Sequence, residues 1–325
     1  MYTKDEIARP ESMEAPKRRA LAGRSPWMQA WHRLQRNRVA MASLIVVVGM
    51  FLVGILAPWL APYSYSQQDL SIAQQGPSWA HWLGTDDYGR DLLSRLIWGA
   101  RTATLVAILP VSVATILGVS LGAIAGYFGG WVETVIMRVT DFFLAFPGML
   151  LAIFLAATLR PAVVQTVAQW EGPLGMPGLS RTGVVDYLVL LVALSAIGWT
   201  GLARLVRGQV LWLREREFVE AARAIGASEW RILFRHILPN TTGVILVVVS
   251  MSMGGAVMAE SVLSFVGIGV QDPTPSWGAM IYQDYAFWRT HPHLVFIPGA
   301  VVAIVIFAFN FLGDGLNDAL NPKVS

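Results

Sequence analysis

The chain has 325 residues, of which 55% are hydrophobic and only 14% charged, with a formal net charge of +3. A soluble domain carries about a quarter charged residues, so the composition argues for a membrane protein, and so small a net charge argues against a nucleic-acid partner. With no cysteine, disulfides, thiolate catalysis and cysteine metal sites are excluded. Lysine occurs only as Lys4, Lys17 and Lys323. None follows a glycine-rich loop, so the chain lacks a phosphate-binding loop of the Walker type, whose lysine reaches the β/γ-phosphates. An ATP-driven role would need a second chain to bind the nucleotide.

In chain order, residues 1–38 form a basic tail with Lys17, Arg18, Arg19, Arg24, Arg33, Arg36 and Arg38. Part of it reads as disordered, and the part from Ser25, with Trp27 and Trp31, as a helix on a membrane surface. The tail is too long for the n-region of a signal peptide, and the apolar run behind it is of spanning length. Six apolar segments follow: Val39 to Leu60, Thr102 to Ala125 with a kink expected at Pro110, Thr134 to Leu159, Val184 to Leu205, Thr242 to Val262, and Leu294 to Leu312. Each is near the ~20 residues that a helix needs to cross the hydrocarbon core. The basic tail and the arginine-rich loop between spans four and five (Arg207, Arg214, Arg216, Arg223, Arg231, Arg235) fall on one side when the spans are counted through. The positive-inside rule makes that side, and both termini, cytoplasmic. The loop Gly126 to Thr134 is then also inside, and the loops at 61–101, 160–183 and 263–293 outside.

In the first outer loop, Thr85 or Asp86 offers a helix cap. Leu92, Leu93, Leu96, Ile97 and Trp98 then recur on one helical face, which predicts an amphipathic helix at the outer interface. The loop at 160–183, with Gly172, Pro173, Gly175, Pro177 and Gly178, has turn composition and no periodicity, so it reads as a lid-like insertion. Pro273, Pro275 and two glycine-led turns interrupt any helix in GIGVQDPTPSWGAM.

The stretch Glu217 to Asn240 is the long polar interruption. Glu220, Ala221 and Ala222 continue a helix begun near Arg214. Gly226 can end it at positive φ; Ser228 is a candidate cap for a second short helix; and Pro239 marks the turn into span five. The expectation is a helix–turn–helix elbow with a flat surface at Ala221, Ala222 and Ala224. The alternative is a hairpin that merely connects two spans.

The spacing of Glu220-Ala221-Ala222, Gly226, Leu238 and Pro239 resembles the coupling motif of ABC-importer permeases. Five further stretches are similar to the C-type permease of the dipeptide/oligopeptide/nickel ABC-transporter family: LGTDDYGRDLLSRLIWGAR, DFFLAFPGMLLAI, ESVLSFVGIG, PTPSWGAM and FNFLGDGLNDALNP, within a resemblance running from Trp31 to Pro322. It implies an all-α membrane protein with the type I importer permease fold, a cytoplasmic coupling helix, and residence in the cell membrane. The expected division is a tail at 1–38, a first span at 39–60, an external segment at 61–101, a five-span core at 102–313 holding the coupling loop 207–240, and a C-terminal tail at 314–325. It also implies the partners: a B-type permease, two cytoplasmic ATPases that carry the ATP and Mg, an external substrate-binding protein, and lipid. The chain itself would bind no cofactor and make or break no bond. By the same resemblance Glu220, Ala221, Ala222, Ile225, Gly226, Ala227, Ser228, Leu238 and Pro239 would dock an ATPase, and the cargo would be peptides, or else nickel or another small solute. The sequence departs from the family pattern at Thr102-Ala103-Thr104, where Ile-Ser-Leu is expected, at Asn317 and Asn321, and in a long insertion around Trp170 to Arg181.

Ser250, Ser252, Gly254 and Gly255, a small polar stretch in span five, are candidates to line a translocation path, together with Glu260. A charge in a span needs a partner or a function; for Glu260 the reading leans to a tie with the outer loops. Asp141 is placed about two turns into span three, and Asp314 beyond span six. Gly118-Val119-Ser120-Leu121-Gly122 fits the GxSxG hydrolase pattern, and with six spans it is similar to rhomboid-type intramembrane serine proteases. A serine nucleophile needs a nearby base, and no histidine falls within a span, so helix packing is the better reading of these small residues. His291 and His293 flank Pro292 and supply only two metal ligands, too few for a closed site. A channel is a further alternative.

Overall fold

A computed structural model describes residues 26–320. Part of the basic tail and the last five residues, with Asn321, lie outside the described residues. Among those described, six helices are long and apolar enough to cross a membrane. We number the helices α1 (Pro26–Arg36), α2 (Arg38–Leu60), α3 (Leu92–Phe128), α4 (Gly130–Leu144), α5 (Gly148–Leu174), α6 (Gly183–Arg214), α7 (Glu217–Ala224), α8 (Glu229–Phe265), α9 (Trp277–Asp284) and α10 (His293–Leu320). The spans are α2, α3, α5, α6, α8 and α10.

Several boundaries differ from the sequence reading, each for a physical reason. The amphipathic helix expected in the first outer loop is the opening of α3 itself. The cap is Asp91, whose carboxylate accepts from the Ser94 amide at 2.8 Å, and not Thr85 or Asp86. Leu92 and Leu96 are buried in protein rather than laid on an interface. At 37 residues, α3 is about 55 Å long at 1.5 Å per residue, so it projects well past a ~30 Å hydrocarbon core. Pro110 lies inside it without ending it.

The predicted third span is two helices. Pro147, which has no N–H to give and a fixed φ, sits in a break between α4 and α5. Asp141 therefore belongs to the short helix α4, not to a span. The expected lid at 160–183 is largely helix, because α5 runs on to Leu174 before Gly175 ends it at φ +64. Pro239 makes no turn: from Glu229 the chain is helical through a π-helical segment, Ile232–Ile237, into Leu238–Phe265. Asp314 and the start of the expected C-terminal tail are inside α10.

Helices α3 and α6 form the central pair. Gly118, Gly122 and Gly126 recur every fourth residue on α3 and meet the backbone of α6. A Cβ at Gly118 would lie 2.8 Å from the Trp199 carbonyl oxygen, one at Gly126 2.7 Å from that of Arg207, and one at Gly122 closer still to that of Ala203. Small residues let helices approach without a hydrophobic driving force between them. Ser120 of the GxSxG pattern is exposed on another face. The stripe is a packing surface, as the alternative reading had it, and Ser120 is not part of it.

A second core joins α2, α3, α8 and α10 through Val47, Met50, Ala103, Val257 and Phe309. Helix α1 is held against the end of α10: Ala30 and Leu34 pack with Ala319, and Arg33 Nη1 donates to the Ala319 carbonyl at 3.4 Å. Gly243, near the start of the apolar part of α8, faces Leu320. Both described ends of the chain therefore meet at the end of the bundle that carries α7.

Candidate functional site

The elbow is built from the sequence as follows. Helix α6 stops at Arg214. A short break at Glu215 and Arg216 starts α7, so the two helices are not one as expected. Gly226 adopts φ +81, a conformation that L side chains rarely adopt, and turns the chain into α8. Ser228 occupies the cap position without a side-chain cap bond. The elbow has its own core: Val219 and Ala222 pack with Ile232, Leu233 and Ile237 against Val210 and Leu213 of α6. Ala227 and Leu238 pack at its edge.

The predicted docking residues therefore split into two sets. Glu220, Ala221, Ile225, Gly226, Ser228 and Pro239 face outward, and Ile225 is 85% exposed at the tip. Ala222 does not belong to a flat outer surface; it points inward, 5% exposed, because α7 needs one apolar face to stay on the bundle.

Polar contacts fasten the elbow to the neighbouring end of α3. Tyr127 Oη donates to a Glu229 carboxylate oxygen, and Arg223 Nε lies 3.8 Å from the other. Arg214 Nη1 donates to the Tyr127 carbonyl at 3.0 Å, satisfying a carbonyl that the helix end leaves open. Phe128 packs on Trp230 with ring centroids 5.1 Å apart, and Trp230 stacks on Phe234. Two more arginines of α6 hold α4: Arg207 Nε donates to Glu133 at 2.6 Å, and Arg204 Nη2 to Asp141 at 2.6 Å. The sequence reading had Asp141 inside a span and did not pair Glu133 at all. The one signal for either pair was that acid and base flanked the same end of neighbouring spans.

Between α3, α5, α6 and α8 lies a cavity of about 260 Å³, lined by Pro110, Thr115, Gly148, Ile197, Ser252 and Gly255 among others. Of the path candidates, Ser252 and Gly255 line it. Gly254 does not: a Cβ there would sit 2.8 Å from the Cβ of Phe309, so this glycine lets α8 close on α10. Ser250 is buried and does not line the cavity. Glu260 is buried too, accepting from Ser264 Oγ at 2.7 Å and Ser276 Oγ at 2.6 Å. It ties α8 to the start of α9, as the sequence reading leaned, rather than facing the cavity.

The opposite end of the bundle carries a buried ion network that the sequence reading missed. Asp86 pairs with Arg90 Nε at 2.7 Å and with Arg95 Nη1. Gln283 Oε1 accepts from Arg90 at 3.1 Å and Arg95 at 2.8 Å, and Asp272 lies 3.1 Å from Arg90. Asp284 is fully buried at its edge, and neither carboxylate oxygen has a hydrogen-bond partner among the described residues. Burial, then the nearby Asp86 and Asp87, push its carboxyl up to about 7 against the pull of Arg95. Burial and Asp86 also raise Asp87. His291 and His293 stand 6.2 Å apart by ring centroid, and among the described residues no group of three or more His, Cys, Asp or Glu could hold a metal ion.

Residues 118–325 match the family described as binding-protein-dependent transport system inner membrane component. Residues 25–77 match the N-terminal transmembrane domain of oligopeptide transport permease C. The chain is 38% identical over 315 residues to the dipeptide transport system permease protein DppC of Alkalihalophilus pseudofirmus, covering 97% of this chain and 96% of that one. It is 37% identical over 302 residues to the glutathione transport system permease protein GsiD of Pectobacterium atrosepticum, covering 93% and 92%. GsiD of Escherichia coli is similar to the same degree.

Proposed function

Because this chain belongs to the family of binding-protein-dependent transport system inner membrane components, the multi-pass permeases of ABC importers, we propose that it forms half of a path for di- or oligopeptides, with the elbow docked in a cytoplasmic ATPase. The relatives named for dipeptide and glutathione transport support the cargo class. The elbow end then faces the cytoplasm with both termini, in keeping with its arginines. The other half of the path comes from a second permease, ATP and Mg are held by two ATPase chains, and an external protein delivers the peptide.

The elbow's two-faced build carries this reading. The buried face, Val219 and Ala222 on Ile232 and Ile237, makes the elbow a rigid extension of α6 and α8. The outer face presents Ile225 as an apolar knob beside Ala221 and Gly226. Helix-in-groove docking transmits rigid-body motion through packing of this kind. Tyr127 and Arg214 join the end of α3 to the same body, so closure of the ATPases moves three spans together. The cavity between α3, α5, α6 and α8 is nearly apolar, with Thr115 and Ser252 as its hydroxyls; such a wall lets peptides pass without holding any one side chain. Intramembrane proteolysis finds no support: Ser120 is exposed on a helix face with no histidine in contact, and the relatives are transport permeases.

The test is Ile225→Glu in the assembled transporter. Ile225 touches nothing the bundle needs, so the thermal midpoint of the permease should stay within about a degree, while peptide uptake and ATPase co-purification fall at least tenfold. Normal uptake by this variant would sink the docking face. Ala222→Trp is the contrast: it should lower the melting temperature as well, since it overfills the elbow core.

A further inference from the structure

At the end of the bundle opposite the elbow, a pocket of about 280 Å³ opens between the start of α3, the start of α6 and the segment before α9. Arg101 stands at its edge, exposed, with its guanidinium carbon 5.4 Å from the Trp98 ring centroid. Three arginines near this end, Arg90, Arg95 and Arg160, are paired with carboxylates, while Arg289 lies over the Trp288 ring and does not line the pocket. Arg101 has no ion pair among the described residues. It lies 26 residues before Tyr127 on α3, about 40 Å along the helix and so beyond a ~30 Å hydrocarbon core.

The hydrogen bonds along its wall fix what the pocket offers. Thr102, itself buried, donates its one hydroxyl proton to the Pro275 carbonyl at 2.7 Å. Its 2.9 Å contact with Tyr187 Oη must therefore be donated by Tyr187. A phenol that has spent its proton is left as an acceptor only. Beside it, Tyr65 and Trp98 form an aromatic wall with centroids 4.8 Å apart. The pocket thus joins a free guanidinium, an acceptor oxygen and an apolar wall. Gly183 lets the start of α6 close on the segment before α9, since a Cβ there would lie 2.5 Å from Thr274 Oγ1. Two departures from the family pattern meet here. Thr102 replaces an expected isoleucine, which has no hydroxyl to orient Tyr187, and Thr182 directly follows the long insertion.

We propose that this pocket binds the C-terminal residue of an incoming peptide, with its carboxylate on Arg101, its amide N–H donated to Tyr187 Oη and its side chain on Trp98 and Tyr65. The site is a way station between the external binding protein and the apolar cavity, and it gives this permease a preference for free carboxyl termini. The proposal rests on the peptide-import reading and deepens it.

The test uses the assembled transporter in nanodiscs and two probes, Ala-Phe and its C-terminal amide. Ala-Phe should protect Arg101 from phenylglyoxal, read by mass spectrometry, and the amide should not. In proteoliposomes, Arg101→Gln should raise the KM for Ala-Phe about tenfold, the size expected for a charge-assisted hydrogen bond, and leave kcat and the KM for the amide unchanged. Arg101→Lys should recover part of the loss. Equal protection by both probes, or equal loss of both substrates in Arg101→Gln, overturns the proposal. So does protection that follows phosphatidylglycerol content and ignores peptide, which would give the guanidinium to lipid headgroups. If the unmodified transporter imports no peptide, the import reading fails by itself, and the protection assay still decides the pocket because it reads binding without transport.

Discussion

The ion pairs that fasten the two ends of the bundle differ in burial. At the elbow end, Arg204 and Asp141 are each more than half exposed, and Arg223 and Glu229 about half. At the far end, Asp86, Arg90 and Arg95 are at most 1% exposed, and the two arginines share Gln283 and Asp272 as further partners. Exposed pairs gain little net energy because water competes for both charges. Buried ones commit the fold, since removing one partner strands a charge with no solvent to turn to. At the elbow end the exposed pair between α4 and α6 can thus be remade, while the elbow itself stays fixed through its apolar core. The far end is locked, and it fixes the loops around the mouth of the path.

The sharpest way to break that comparison is to remove one carboxylate of the locked end. Asp86→Ala leaves Arg95 and Arg90 short of their shared partner and should destabilise the permease by about 3–5 kcal/mol. Loss of the monodisperse species in detergent, or a fall of many degrees in thermal midpoint, would be the readout. Asp86→Ala with a normal midpoint would mean that the network contributes nothing net.

What was legible in the sequence follows the same division. The spans were legible because twenty-residue apolar runs admit one solution in a bilayer. The elbow was legible because Gly226 and the polar run around it are local signals. The far-end network was not, although half of it lies in the single stretch LGTDDYGRD. Asp272 and Gln283 reach Arg90 across more than 180 residues of sequence, and no periodicity reports such a meeting. Residues with two structural meanings misled. Leu92 and Leu96 sit on a stripe that fits an interfacial helix as well as the buried opening of α3. Ala222 has the small side chain of a docking surface, but α7 needed it for its inner face. Pro147 breaks α4 from α5, but the apolar run continues through it and reads as one span.

A smaller effect comes from pH, again at the locked end alone. The Asp284 carboxyl is raised to about 7, against roughly 3.9 in an unfolded chain. Between those values the folded protein holds a proton that the unfolded one releases. Stability is therefore greatest in acid, falls as pH rises toward 7, and changes no further from this group above it. The groups around it are Asp86 and Asp87, which raise it, and Arg95, which opposes them. The midpoint should accordingly be higher at pH 5 than at pH 8. Asp284→Asn should flatten that difference and raise the midpoint at pH 8. A variant that keeps the full slope would assign the titration to another group, with Asp87 next in line.

The smallest change is expected at the elbow end. Arg204→Gln removes the guanidinium from Asp141, but both side chains are already more than half in solvent, so the stranded carboxylate is rehydrated at little cost. The loss should stay below about 1 kcal/mol, and high salt should shrink it further because exposed charges are screened. Arg207→Gln, whose pair with Glu133 is only about a quarter to a third exposed, should cost more and respond less to salt. Measuring the two variants at low and high ionic strength turns the comparison between the ends into a gradient along one helix. Arg204, Arg207 and Arg214 succeed one another on α6 toward the elbow, and only the first should behave as a free surface charge. Should Arg204→Gln prove as damaging as Asp86→Ala, both ends would be locked, and α4 could not shift against α6 when the elbow moves.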